Sequence, residues 1–160
     1  MNWIRKRFQR YRQLSPWDFC WRIAIEGTIV SLFAAILLGL AGAPGREMDF
    51  DPEVILVAGL IAAPIIETLL LQSLPVWLAR RRNARFSTQM ICSIVPWTIL
   101  HALEGIQTGI AAGLIGGFYF AFTYVHWREK SRWTAYWVTA LSHFIHNAIV
   151  IGLAMALGQL

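Results

Sequence analysis

Cut at its charged clusters, the chain falls into five apolar segments, at about 23–43, 54–79, 87–103, 108–127 and 133–157. Each is near the ~20 residues that a helix needs to cross a hydrocarbon core, the third being the shortest. A spanning segment must satisfy its own backbone, so the pattern predicts an all-α fold: a multi-pass transmembrane helical bundle of about five spans. Ahead of it, Ile4, Phe8 and Tyr11 recur at helical spacing with Arg and Lys between them. That spacing predicts a basic amphipathic membrane-surface segment over residues 1–20 and a transmembrane domain over 21–160. The rival reading is a signal peptide ending at Ala41-Gly42-Ala43, but the basic region before the apolar run is longer than such leaders carry.

The positions of the basic residues orient the bundle. Arg5, Lys6, Arg7, Arg10, Arg12 and Arg22 precede the first segment, Arg80, Arg81, Arg82 and Arg85 follow the second, and Arg128, Lys130 and Arg132 follow the fourth. With five alternating spans every Lys and Arg except Arg46 lands on one side, and Arg46 shares its loop with Glu47, Asp49, Asp51 and Glu53. Positive residues stay inside, which puts the N-terminus in the cytoplasm and the protein in a plasma (bacterial inner) membrane. Composition agrees: 57% hydrophobic and 14% charged residues, with a mean hydropathy of +0.52, leave too little polar surface for a soluble domain of 160 residues. The net charge of +5 sits in clusters flanking apolar runs, which favours anionic lipid headgroups over nucleic acid as its partner. Cys20 and Cys92 have neither metal-ligand nor disulfide spacing and read as packing residues.

Gly105, Gly109, Gly113 and Gly117 recur every four residues in the fourth segment and Gly116 adjoins them, a groove into which another helix can press. A second helix, or a second copy of the chain in an oligomer, fits such a groove.

Against this apolar background the polar residues stand out. At ~1.5 Å of rise per residue, Glu67 lies roughly 20 Å from Arg80, His101 roughly 24 Å from Arg85, and His143 and Asn147 roughly 16 and 22 Å from Arg132. All four share one slab beyond the midplane. One such group alone is often a structural hydrogen-bond partner, but four at one depth, where each is costly, point to a shared hydrated site. A carboxylate, two imidazoles and a carboxamide suit general-base chemistry with hydrogen-bond donors. Pro64 and Pro96 each remove a helical hydrogen bond nearby and can admit water.

The order Glu67-Thr68-x-x-x-Gln72, Trp97-x-x-x-His101 and His143-x-x-x-Asn147 resembles the three motifs of the CAAX protease and bacteriocin-processing family, also called CPBP or Abi, whose patterns read E-E-x-x-x-R, F-x-x-x-H and H-x-x-x-N. Its members include prenyl endopeptidases that remove the last three residues of prenylated proteins, and proteins tied to peptide processing or bacteriocin immunity. The resemblance implies an intramembrane glutamic-type endopeptidase acting on a membrane-anchored or C-terminally tagged peptide. Glu67 and His101 would activate water, and His143 and Asn147 would stabilise the oxyanion. Thr68, Gln72, Trp97 and His146 take supporting places. The second carboxylate and the arginine of the first motif are here Thr68 and Gln72, expected to form a neutral hydrogen-bonded pair in place of a charged one. No cofactor is expected. The alternative is zinc held by Glu67, His101, His143 or His146, although no short metal spacing such as H-E-x-x-H is present. A noncatalytic scaffold or immunity-type protein on the same fold, and a proton-coupled transporter, are the other classes. Absence of internal duplication counts against the transporter. Glu26, Glu104 and His126 read as interfacial.

Overall fold

The computed structural model describes residues 11, 13–45 and 51–158, and every regular element among them is helical. Ile4 and Phe8 of the expected surface segment, and Arg46, Glu47 and Asp49, lie outside the described residues. Five long helices follow in order: α1 Pro16–Leu40, α2 Glu53–Arg81, α3 Phe86–Ala102, α4 Ile106–Arg128 and α5 Arg132–Ala156. Four are long and apolar enough to cross a membrane. The exception is α3, whose 17 residues span about 25 Å, short of the ~30 Å of a hydrocarbon core.

Local chemistry sets the ends. Ser15 accepts a hydrogen bond from the Asp18 N–H at 3.1 Å, Pro16 follows at the first helical position, and α1 therefore starts at Pro16 rather than where the apolar run begins. It stops at Gly42, whose φ of +78° lets the Ala43 N–H reach back to the Leu38 carbonyl at 2.9 Å. Ser131 caps α5 in the same way as Ser15 caps α1, accepting from the Thr134 N–H at 2.9 Å.

The basic ends gather on one face. Arg80 pairs with Glu129 at 2.9 Å, joining the ends of α2 and α4, and Phe19 at the start of α1 packs edge-on against Trp127. Arg22, Arg81, Lys130 and Arg132 lie over Trp21, Trp77, Trp127 and Trp133 at this end, the aromatic and cationic residues that a headgroup layer accommodates. Cys20 is buried there, whereas Cys92 is exposed on α3, so the expectation that it packs inside fails.

α4 is the centre of the bundle: 61% of its most apolar stretch is buried against 11% for α2, whose Val57, Ile61, Leu69 and Leu70 face outward. The glycines explain α4's position. A Cβ on Gly109 would stand 2.7 Å from the Ala102 Cα, one on Gly113 3.0 Å from the Thr98 Cα, and one on Gly117 2.9 Å from the Trp97 ring. α3 thus rests directly on three successive turns of α4. Two of the expected groove glycines differ. Gly105 precedes α4, and its φ of +125° makes it a turn residue beside Pro44; a Cβ on Gly116 would meet nothing nearer than 3.8 Å, so Gly116 does not widen the groove.

α2 runs through two π-helical stretches, Ala58–Ala62 and Thr68–Ser73, each followed by a proline, Pro64 or Pro75. In the first, the Ala63 N–H bonds the Ala58 carbonyl, and the next residue is Pro64, which has no N–H to offer Gly59. The Gly59 carbonyl instead accepts from the Asn147 side-chain amide of α5 at 2.7 Å. Further along, Leu71 accepts from the Ser93 hydroxyl of α3 at 2.8 Å and Ile65 from the Tyr136 hydroxyl of α5 at 3.1 Å.

Gly109→Ala and Gly113→Ala are expected to destabilise the detergent-solubilised protein by about 1–3 kcal/mol each through overpacking. Gly116→Ala, whose methyl meets nothing nearer than 3.8 Å, and Gly152→Ala, whose methyl enters open space, should be close to neutral, as thermal unfolding will show.

Candidate active site

Glu67 sits on α2 between the two π stretches, where irregular backbone turns a side chain that a straight helix would place differently. Its Oε2 lies 4.0 Å from Nε2 of His143 on α5. That is too long for a direct hydrogen bond and short enough for one water to touch both atoms.

The histidines are held by different means. His101 Nδ1 is 3.0 Å from the Trp97 carbonyl, which can only accept, so Nδ1 carries a proton and donates it there. The Trp97 indole stacks on the same ring, with centroids 5.2 Å apart and planes within 12°, and meets His143 edge-on at 5.3 Å. Trp97 is itself fixed by its N–H to the Ala112 carbonyl at 3.0 Å and by the α4 backbone at Gly117. One buried indole therefore sets two imidazoles, a larger part than a simple exchange for Phe suggests. Phe120 closes the other side of His143 at 4.6 Å.

His146 is turned toward α1. The Thr28 hydroxyl spends its proton on the Ala24 carbonyl at 2.8 Å, so His146 Nδ1–H is the donor in its 2.9 Å bond to Thr28.

Glu67, His101, His143, His146 and Asn147 all line one cavity of about 580 Å³. The structure thus brings together the four residues expected to carry chemistry, and His146 with them. The cavity runs to the α3–α4 turn, at the bundle end away from the basic clusters, where Glu104 and Gln107 join its lining. Glu104, expected to be interfacial, is exposed and does sit at the end of α3, but it also forms part of this wall. No motif marked Gln107, whose amide donates to the Ala35 carbonyl at 2.6 Å and joins α4 to α1. Glu26 differs from a simple interfacial group, for it accepts from Tyr11 at 2.6 Å and from Tyr119 at 2.9 Å. His126 stacks on Phe19 at the basic end.

Thr68 and Gln72 are fully buried and do not line the cavity. Neither the Thr68 hydroxyl nor the Gln72 amide has a hydrogen-bond partner within the protein, so the expected neutral pair is not formed. Among the described residues no group of three His, Cys, Asp or Glu side chains is placed to hold a metal ion.

Four helices of membrane-spanning length make this an integral membrane protein, and Glu67, His101 and His143 meet on the wall of its cavity. A family model, type II CAAX prenyl endopeptidase Rce1-like, matches residues 49–149, most of α2 through α5. The chain belongs to this family of membrane proteases. Comparison with curated proteins and with solved structures gives no match.

Asn147→Ala removes the hydrogen-bond donor of the Gly59 carbonyl. It is expected to cost about 1–3 kcal/mol of stability in thermal unfolding, separately from any effect on activity.

Proposed function

We propose that the protein is an intramembrane endopeptidase of glutamic type that hydrolyses a peptide bond in a membrane-anchored substrate. The observation that carries this reading is the 4.0 Å approach of Glu67 and His143 on the wall of a cavity inside the bundle. Water held there, with His101 on the same wall, gives its proton to Glu67 as the hydroxide oxygen attacks the scissile carbonyl carbon. The charge that develops on the carbonyl oxygen is met by donors from His143 and Asn147, one turn apart on α5. The Asn147 amide has two N–H bonds; one goes to Gly59, and the second is the one offered to the oxyanion. Glu67 then passes its proton to the amide nitrogen as the C–N bond breaks, leaving a carboxylic acid and an amine. Ring contacts from Trp97 and Phe120 hold the imidazoles in register. This reading uses no metal, and the basic ends rest in a cytoplasmic leaflet of anionic lipid.

Thr68 and Gln72 favour a second reading, a noncatalytic member on the same scaffold, because the family's second carboxylate and arginine are both replaced. The two readings part at Glu67. Under the first, Glu67→Gln lowers cleavage of a reconstituted, membrane-anchored reporter by roughly 10²–10⁴-fold, the usual contribution of a general base, while the protein stays folded. Chelators leave the wild-type rate unchanged. Full activity in Glu67→Gln contradicts the peptidase reading.

A further inference from the structure

The cavity is walled unequally. α4 packs on α3 and on α5 behind it, whereas α1 and α2, which form its remaining walls, do not pack along each other. α1 rests on α4 and α5, and α2 on α3 and α5. Leu32 and Ala35 from α1 and Val54, Ile55 and Ala58 from α2 nevertheless line the same space. Val54 is 53% exposed and Ala58 is exposed too, so the cavity is open along the α2 edge of this seam. Both flanking helices turn apolar side chains outward, among them Ile29 and Phe33 on α1 and Val57 and Ile61 on α2, which makes the bilayer the medium outside the opening.

We propose that the α1–α2 seam is a lateral access slot through which an apolar peptide segment passes from the bilayer to lie extended beside Glu67. What happens to the segment afterwards rests on the peptidase reading; its binding does not. Three features select this occupant. Among the described residues, no Lys or Arg lines the cavity while Glu67 and Glu104 do, so a lipid phosphate finds no counter-charge. A helix ~10–12 Å across would fill about 580 Å³ within little more than one turn, so the space takes a short extended stretch. An extended stretch brings unpaired backbone N–H and C=O groups into an apolar medium and needs partners there. Ser31 supplies one: it lines the cavity, is 5% exposed, and its hydroxyl has no hydrogen-bond partner within the protein.

Photocrosslinking tests the slot independently of turnover. Benzoylphenylalanine replaces Ala58 or, separately, Val54 in the full chain carrying Glu67→Gln, with Ile99, an outward-facing α3 residue, as the control position. The probe is a synthetic peptide with one apolar span of ~20 residues and short polar ends, reconstituted with the protein in phospholipid vesicles. Peptide adducts several-fold more abundant at positions 54 and 58 than at 99 support the slot. Equal yields at all three positions, or adducts at 54 and 58 to lipid alone, overturn it. Selective adducts at the slot together with no cleavage of any anchored peptide by the wild-type protein leave the slot standing and remove the peptidase reading.

Discussion

No solvent inside a hydrocarbon layer will hydrogen-bond a carbonyl that its own helix has released, and α2 releases several. Its π stretches shift the hydrogen-bond register, and Pro64 and Pro75 withhold the N–H groups that would restore it. Asn147 satisfies the carbonyl of Gly59 from α5, Ser93 bonds that of Leu71 from α3, and Tyr136 adds a second bond to that of Ile65, which also accepts from the Thr68 N–H. These bonds pin α2 to α3 and α5 at the level where Glu67 faces His143. The irregularity that turns the carboxylate inward is tolerated because the neighbours supply the missing partners. Asn147 belongs both to this network and to the proposed oxyanion site, so scaffold and chemistry are joined in one side chain.

The second constraint is close approach. Without side chains at Gly109, Gly113 and Gly117, α3 lies directly on α4, and Trp97 reaches far enough into the bundle to touch both His101 and His143. A longer α3 would cross the membrane, but a short one suffices here, because its task is to deliver His101 to the cavity, Trp97 to the imidazoles and Ser93 to α2. α1 packs on α4 and α5, with the Thr28–His146 and Gln107–Ala35 bonds among its ties, and its separation from α2 leaves the cavity reachable from the bilayer.

Much of this was legible in the chain. Five apolar runs separated by charged residues are five helices, because bilayer thickness and the cost of an unpaired backbone leave few alternatives. The slab that holds Glu67, His101, His143 and Asn147 followed from helical rise alone. Less could be read where position depends on what a neighbour does. Nothing in the sequence marks a π stretch, so the tie from Asn147 to Gly59 was hidden, and so was the part that Ser93 plays. Spacing placed Thr68 and Gln72 on one helix face but did not say that both would be buried without bonding each other. A glycine period of four describes a groove and also a turn, and only the φ of Gly105 separates the two. Glu104 looked like a residue at the end of a helix; its place on the cavity wall depends on how α3 and α4 turn back on each other.

The site depends on a carboxylate and an imidazole that share water within the membrane. The most direct measurement is an experimental structure of the protein in a lipid nanodisc, at a resolution that shows ordered water. The expected result is a water within about 3 Å of both Glu67 Oε2 and His143 Nε2, reached from the cavity lined by His101 and Asn147. A dry contact between Glu67 and His143, or an acyl chain filling the space between them, would contradict it.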